Sequence, residues 1–298
     1  MPKVIEGNQC LIVTPLHEDE TVDVDSAKRL LDFVISGGVD GVLAHGSTGE
    51  GFLFTTEERK AFMDLVVEHV AGRVPVGFDV ESSSTAISVD LAKYAEKAGV
   101  DYLFTTAPYR HPHKGVGIFE HFKAINEATS LPVAIYDGGA GIELDVGFLA
   151  RVSRELPNIK YCKIYLEKPE KVAQIAEACG GRLQPWAGHD RLTYLMLLYG
   201  ALGMTSAASC VIPAENTQMF RLVREGKIDE ARQIYLSKVA PLNSIAFYTA
   251  TDYIAAYKLA LYWMGVIDTP VVRRPLVQLD QVMQRELKAV LRFIGIGV

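Results

Sequence analysis

Three short segments of the 298-residue chain bring together residue types that suit carbonyl chemistry. Lys163 stands in Asn158-Ile159-Lys160-Tyr161-Cys162-Lys163-Ile164-Tyr165, a run that reads as a strand. Side chains alternate along a strand, so if Ile159, Tyr161 and Lys163 share the core face, Lys160 points outward. An ammonium carried into an apolar interior loses hydration and its pKa falls. The neutral amine can then add to a carbonyl and form an imine. The competing reading is a strand-end lysine whose amine snorkels into water. Gly46-Ser47-Thr48-Gly49-Glu50 joins flexible backbone to two hydroxyls and can aim N–H and O–H donors at a carboxylate, although such clusters are also ordinary turns. Tyr136, in Ala134-Ile135-Tyr136-Asp137, carries a phenol able to donate and accept a proton, or simply to pack.

These residues need a scaffold that brings their segments together. From about residue 10 to 227, short apolar or β-branched runs alternate with amphipathic helical stretches, the rhythm of a parallel sheet. Strands are expected at 11–15, 41–46, 74–80, 102–107, 133–137, 159–164, 183–187 and 204–208, with helices between them such as 56–70 and 145–156. Eight βα units favour closure into an α/β fold of the TIM (β/α)8 barrel type, with a doubly wound sheet as the alternative. Reactive groups of a barrel gather at the C-terminal strand ends, where all three segments fall. Beyond the eighth unit only helical patterns remain, at 228–248, 251–265 and 279–293. The expected organisation is a barrel over 1–227 and a C-terminal helical extension over 228–298 packed on it.

Composition narrows the class. Hydrophobic residues make up 49% of the chain, enough for a large core, and the net charge of −6 comes without any basic run, which argues against nucleic acid as a partner. No apolar stretch reaches membrane-spanning length. Cys10, Cys162, Cys179 and Cys210 lie far apart, without metal-ligand or disulfide-scaffold spacing, and the N-terminus has no secretory pattern. A cytoplasmic protein is expected.

Taken jointly, Gly46-Ser47-Thr48-Gly49-Glu50, Tyr136 and Lys163 resemble the signature of the dihydrodipicolinate synthase and N-acetylneuraminate lyase family. Further similarity lies in Thr14-Pro15, Ala107-Pro108-Tyr109, Gly188-His189-Asp190, Gly203-Met204-Thr205-Ser206, Lys258-Leu259-Ala260-Leu261 and Arg273-Arg274-Pro275-Leu276. The resemblance implies a Schiff-base lyase in which Lys163 holds pyruvate or a related 2-oxo acid as an imine. Ser47 and Thr48, beside Gly46, bind its carboxylate, and Tyr136 relays protons. Thr205 and Ser206 join the substrate-binding set. It also implies no metal or organic cofactor, a structural loop at His189-Asp190, and a homo-oligomer built as a dimer of dimers. His17, His45, His69, His111, His113 and His121 show no paired-ligand spacing, and His45 reads as a satisfied structural histidine.

The chain also departs from the family's pattern. Arg110 follows Tyr109 where the synthases have a second tyrosine that reaches a neighbouring subunit, and Asp137-Gly138-Gly139-Ala140-Gly141 lacks the synthases' arginine. Asp79 and Glu81 stand where the family's third strand ends in glycines; they either make the pocket more acidic than usual or pair with Arg110 or face solvent. Tyr165 stands where small residues usually follow the lysine. Arg110, Tyr109, Asp79, Asp137 and Tyr165 are therefore the specificity candidates. The leading expectation is an aldolase, lyase or dehydratase acting on a 2-oxo acid such as a sugar acid. The alternatives are 4-hydroxy-tetrahydrodipicolinate (dihydrodipicolinate) synthase and, from another class, a catalytically silent ligand-binding barrel.

Overall fold

Runs of four to six mostly buried residues form the strands Gly7–Leu11 (β1), Gly41–Ala44 (β2), Val76–Asp79 (β3), Tyr102–Thr106 (β4), Val133–Asp137 (β5), Ile159–Ile164 (β6), Gln184–Ala187 (β7) and Gly203–Ser206 (β8). In the computed structural model, which describes residues 5–110, 115–248 and 253–298, these pair in parallel and in chain order, and β8 returns to β1. The closed eight-stranded barrel is the expected TIM architecture.

One strand differs in place. β1 lies at Gly7–Leu11, not at 11–15. Its polar Asn8 and Gln9 hide it from a hydrophobicity reading, yet both are buried and satisfied: Asn8 Nδ2 donates to Thr217 Oγ1 at 3.0 Å and Gln9 Nε2 to the Glu6 carbonyl at 2.7 Å. The segment taken for the strand runs on as loop. There Pro15 has no N–H for a ladder, and Thr14 Oγ1 donates to the Gly49 carbonyl at 2.7 Å.

The outer layer comprises helices Val24–Ser36 (α1), Thr56–Val70 (α2), Thr85–Ala98 (α3), Gly115–Ala128 (α4), Val146–Glu155 (α5), Lys171–Cys179 (α6), Thr193–Leu198 (α7) and Pro213–Arg224 (α8). α2 starts at a capping box: Thr55 Oγ1 accepts from Glu58 N at 3.2 Å, and Glu58 Oε2 accepts from Thr55 N at 2.8 Å. Ile228–Ile234 (α9), Ala240–Ala246 (α10), Tyr253–Trp263 (α11) and Gln281–Phe293 (α12) form the C-terminal helical extension. The expected single helix over 228–248 is interrupted by a π-helical turn, Tyr235–Val239, just before Pro241, whose missing N–H breaks the α-ladder. Residues 251 and 252 of the expected next helix, like His111 and His113, lie outside the described residues.

The lower interior is filled by aromatic rings. Tyr161 stacks on Trp186 with centroids 4.5 Å apart, and Tyr102 meets Trp186 edge-on at 5.8 Å. Glycines make the room: a Cβ on Gly77 would fall 2.1 Å from Tyr102 Cζ, and one on Gly203 would fall 2.9 Å from Trp186 Nε1. This layer is the floor on which the site is built.

Candidate active site

Above the floor, the C-terminal strand ends enclose a cavity of about 280 Å³ whose wall includes Gly46, Ser47, Thr48, Tyr136, Lys163 and Tyr165. The sequence thus foresaw six of the wall residues, and β2, β5 and β6 bring them together.

Lys163 points inward, Lys160 outward, as alternation along β6 requires. The Lys163 side chain is buried, and desolvation brings its pKa down to about 8, against the opposing pull of the Asp190, Asp79 and Glu81 carboxylates. Its amine lies 4.3 Å from the centroid of the Tyr136 ring, on the neighbouring residue in the β5–β6 ladder, and 5.5 Å from that of Phe104. The stem crosses Gly188, the residue after β7, where a Cβ would sit 2.3 Å from Lys163 Cγ. Only glycine leaves that path open.

Ser47–Gly49 forms a single 3₁₀ turn after β2, closed by Gly49 N donating to the Gly46 carbonyl at 2.9 Å. Among the described residues, no main-chain carbonyl engages the Ser47 or Thr48 N–H, which leaves donors for an anion beside the two hydroxyls. The turn lies between two non-glycine residues in left-handed conformation, His45 (φ 56°) and Glu50 (φ 59°), a costly arrangement that its surroundings must impose. His45 is gripped by rings, 4.5 Å from Phe62 and 4.6 Å from Phe54. Among the described residues neither ring nitrogen has a hydrogen-bond partner, and burial drives its pKa well below the ordinary value. It is a neutral packing group and not the satisfied histidine expected. Glu50 is fixed by a fully buried ion pair with Lys258 of α11 and by accepting from Arg273 N at 2.6 Å.

Tyr136 is buried, and desolvation, then neighbouring Tyr253 and Tyr165, raise its pKa well above that of a free phenol, so it stays a proton donor. Tyr165 stands edge-on to it at 6.1 Å and stacks on His189 at 4.7 Å. The side chain at 165 therefore shapes the wall.

Other candidates sit elsewhere. Asp137 follows Tyr136 and so faces the helices, where Oδ2 pairs with Lys171 Nζ at 2.7 Å and Oδ1 accepts from Leu144 N at 2.7 Å. It holds the β5–α5 connection and does not line the cavity. Thr205 and Ser206 also lie outside the wall, because the Ser206 hydroxyl is turned to donate to Asp190. Asp79 and Glu81 are buried and pair with neither Arg110 nor solvent; their cation is Arg59 of α2. Arg59 donates to the main-chain carbonyls of both, at 2.8 Å for Glu81. Burial raises both carboxyl pKa values, Asp79 the more strongly. Tyr109 and Arg110 are exposed and do not line the cavity; Arg110 N donates to Ser83 Oγ at 3.0 Å.

Of the wall residues that escaped the sequence reading, three bear most on the site. Asp190, read as part of a structural loop, is buried in the wall, accepts from Ser206, and opposes the fall in the Lys163 pKa more than any other carboxylate. Its place just past β7 was the available signal. Phe247 and Tyr253 come from the helical extension, and no strand-end argument reaches them.

A closed parallel barrel with a deprotonatable lysine beside a donor-rich turn, a phenol and a carboxylate defines a carbonyl-binding lysine barrel. The profile of the dihydrodipicolinate synthetase family matches residues 5–294. The 4-hydroxy-tetrahydrodipicolinate synthase 1 of Halalkalibacterium halodurans is 36% identical over 281 residues, covering 93% of each chain. The solved 4-hydroxy-tetrahydrodipicolinate synthase of Methylacidiphilum fumariolicum SolV superposes with a TM-score of 0.92 at 32% identity, over 98% of this chain and 96% of that one. The dihydrodipicolinate synthase of Acinetobacter baumannii, solved with pyruvate, gives 0.93 at 26%, over 99% and 100%. The chain belongs to the dihydrodipicolinate synthetase family.

Proposed function

We propose that the protein is a Schiff-base lyase that cleaves, condenses or dehydrates a 2-oxo acid through Lys163. The observation that carries this reading is the buried Lys163 amine, with its pKa brought down to about 8, in a cavity whose opposite wall is the Ser47–Thr48 turn. The neutral amine adds to the 2-oxo carbon, and the carbinolamine loses water to give a protonated imine. Asp190, the carboxylate that acts most strongly on the amine, balances that charge. In the cleavage direction, loss of the proton from a 4-hydroxyl breaks the C3–C4 bond, and its electron pair passes to the imine as an enamine. Protonation at C3 and hydrolysis return the amine and the oxo acid. Tyr136, beside the lysine, hands protons to and from this centre. Ser47 and Thr48 take the carboxylate.

The test is reduction with borohydride in the presence of pyruvate. The expected result is a mass increase mapped to Lys163; label on Lys160, or none, overturns the reading and favours a silent ligand-binding barrel. A screen of 2-oxo acids, read by pyruvate release, then names the substrate. The relatives' named activity, 4-hydroxy-tetrahydrodipicolinate synthesis, is the second reading, favoured by identity over nearly the whole chain. Against it, the described cavity wall has no cation besides Lys163 and carries Asp190, a setting better suited to a hydroxylated fragment than to a second carboxylate. This reading also has the protein working in the cytoplasm as a homo-oligomer, a dimer of dimers, with its barrel over 1–227 and the extension over 228–298.

A further inference from the structure

Tyr253 opens α11, the helix of the C-terminal extension whose Lys258 pairs with Glu50 at the end of the carboxylate-binding turn. It lines the cavity, and its phenol lies in hydrogen-bonding range of the Thr48 hydroxyl. Its ring is held from two sides, stacked on Phe247 with centroids 4.8 Å apart and edge-on to Tyr257 at 6.2 Å. The helix is tied to the same turn by the Glu50–Lys258 pair, and Lys258 Nζ also donates to the Val271 carbonyl at 2.7 Å. A second tie reaches the opposite wall. Tyr257 Oη donates to Asn243 Oδ1 at 2.9 Å, and Asn243 Nδ2 donates to the Asp190 carbonyl at 3.0 Å. α11 is thus fixed to both sides of the cavity, and the phenol it carries faces one particular hydroxyl.

A threonine hydroxyl has one proton and rotates about its C–O bond, so its direction is decided by its partners. We propose that Tyr253 is a positioning residue of the oxo-acid site: its phenol donates to Thr48 Oγ1 and turns the Thr48 proton toward the carboxylate of the bound 2-oxo acid. The proposal rests on the imine reading and adds to it a working residue from outside the barrel. Chained hydroxyls also polarise one another, which strengthens the final bond to the anion. Burial pushes the Tyr253 pKa well above that of a free phenol, so the phenol keeps its proton and has it to donate; it is not a base.

The experiment is a double-mutant cycle on the full chain with Tyr253→Phe, Thr48→Val and the pair, each read by steady-state kinetics and by borohydride trapping at graded pyruvate concentrations. Phenylalanine preserves the ring contacts with Phe247 and Tyr257, and so removes the hydroxyl alone. The expected result for Tyr253→Phe is half-maximal trapping at roughly five- to tenfold higher pyruvate, the size of one lost hydrogen bond between neutral groups. Maximal trapping should persist, and no new ionisation should enter the pH profile below about 10. In the Thr48→Val background, Tyr253→Phe should have little further effect, because the phenol acts through that hydroxyl. An unchanged pyruvate dependence in Tyr253→Phe, or an equal loss with and without the Thr48 hydroxyl, overturns the role of Tyr253 and leaves the imine reading standing. Absence of trapping in the unsubstituted protein overturns both.

Discussion

At the scale of single residues, the site depends on whether one amine can lose its proton. With the Lys163 pKa at about 8, the nucleophilic fraction grows as pH rises, so kcat/KM for the oxo acid should climb through that value and level off above it. Asp190 favours the ammonium. Asp190→Asn should therefore move the ascending limb to lower pH while weakening stabilisation of the protonated imine; a limb moved upward would show that this carboxylate does not face the amine. Lys163→Arg keeps charge and stem but cannot deprotonate, and should abolish trapping in a chain that still folds. Gly188→Ala makes a different test: a methyl group 2.3 Å from Lys163 Cγ must displace the stem, and turnover should fall about a hundredfold for a misplacement near 1 Å. Normal turnover in that variant would mean that the amine reaches substrate by another path. Several of these roles were legible in sequence. Lys163 and Tyr136 sit at strand ends with the alternation that aims them inward, whereas Asp137, one residue on, was read on the wrong face. Asp190 was passed over because its partner, Ser206, lies across a strand boundary that sequence spacing does not show.

At the scale of elements, seven of the eight strands were foreseen close to their observed places, because buried parallel strands are short apolar runs. β1 was not, since Asn8 and Gln9 are satisfied only by tertiary partners. The helices of the extension were visible as periodic patterns, but their bearing on the site was not. α11 is buried along Ile254–Leu261, and a helix apolar on nearly every side gives no phase by which to single out Tyr253. The Glu50–Lys258 pair joins this helix to the Ser47–Gly49 turn with both side chains fully buried. Lys258→Met leaves Glu50 unpaired in the interior and should cost about 3–5 kcal/mol in urea unfolding, while adding Glu50→Gln should recover much of it. Oxo-acid binding should remain impaired in the double variant, because the left-handed residue that ends the turn keeps its bond from Arg273 N but has lost its tie to α11. If the single variant is as stable as the parent, the tie between helix and turn is not a strong one.

For the molecule as a whole, the proposed oligomer needs a surface to assemble through. Leu195, Leu198 and Tyr199, in and just after α7, are each more than 40% exposed, an apolar group on one short element. In the proposed homo-oligomer this face is a contact surface, and Leu198→Asp should lower the mass seen by sedimentation at micromolar concentration; an unchanged mass would place the contact elsewhere. The barrel interior has a further consequence, for the order of events. Tyr102, Tyr161 and Trp186 close the floor beneath Lys163, so traffic to the amine passes only through the mouth. Whatever is bonded to the lysine at the bottom is shut in by whatever lies above it. During cleavage the free aldehyde fragment must therefore depart first and the oxo acid last. During condensation the oxo acid must arrive first. Product-inhibition kinetics should carry that signature: the oxo acid competes with the substrate for the empty enzyme, and the aldehyde does not. Queueing at a single doorway would thus fix the sequence of release without any moving part.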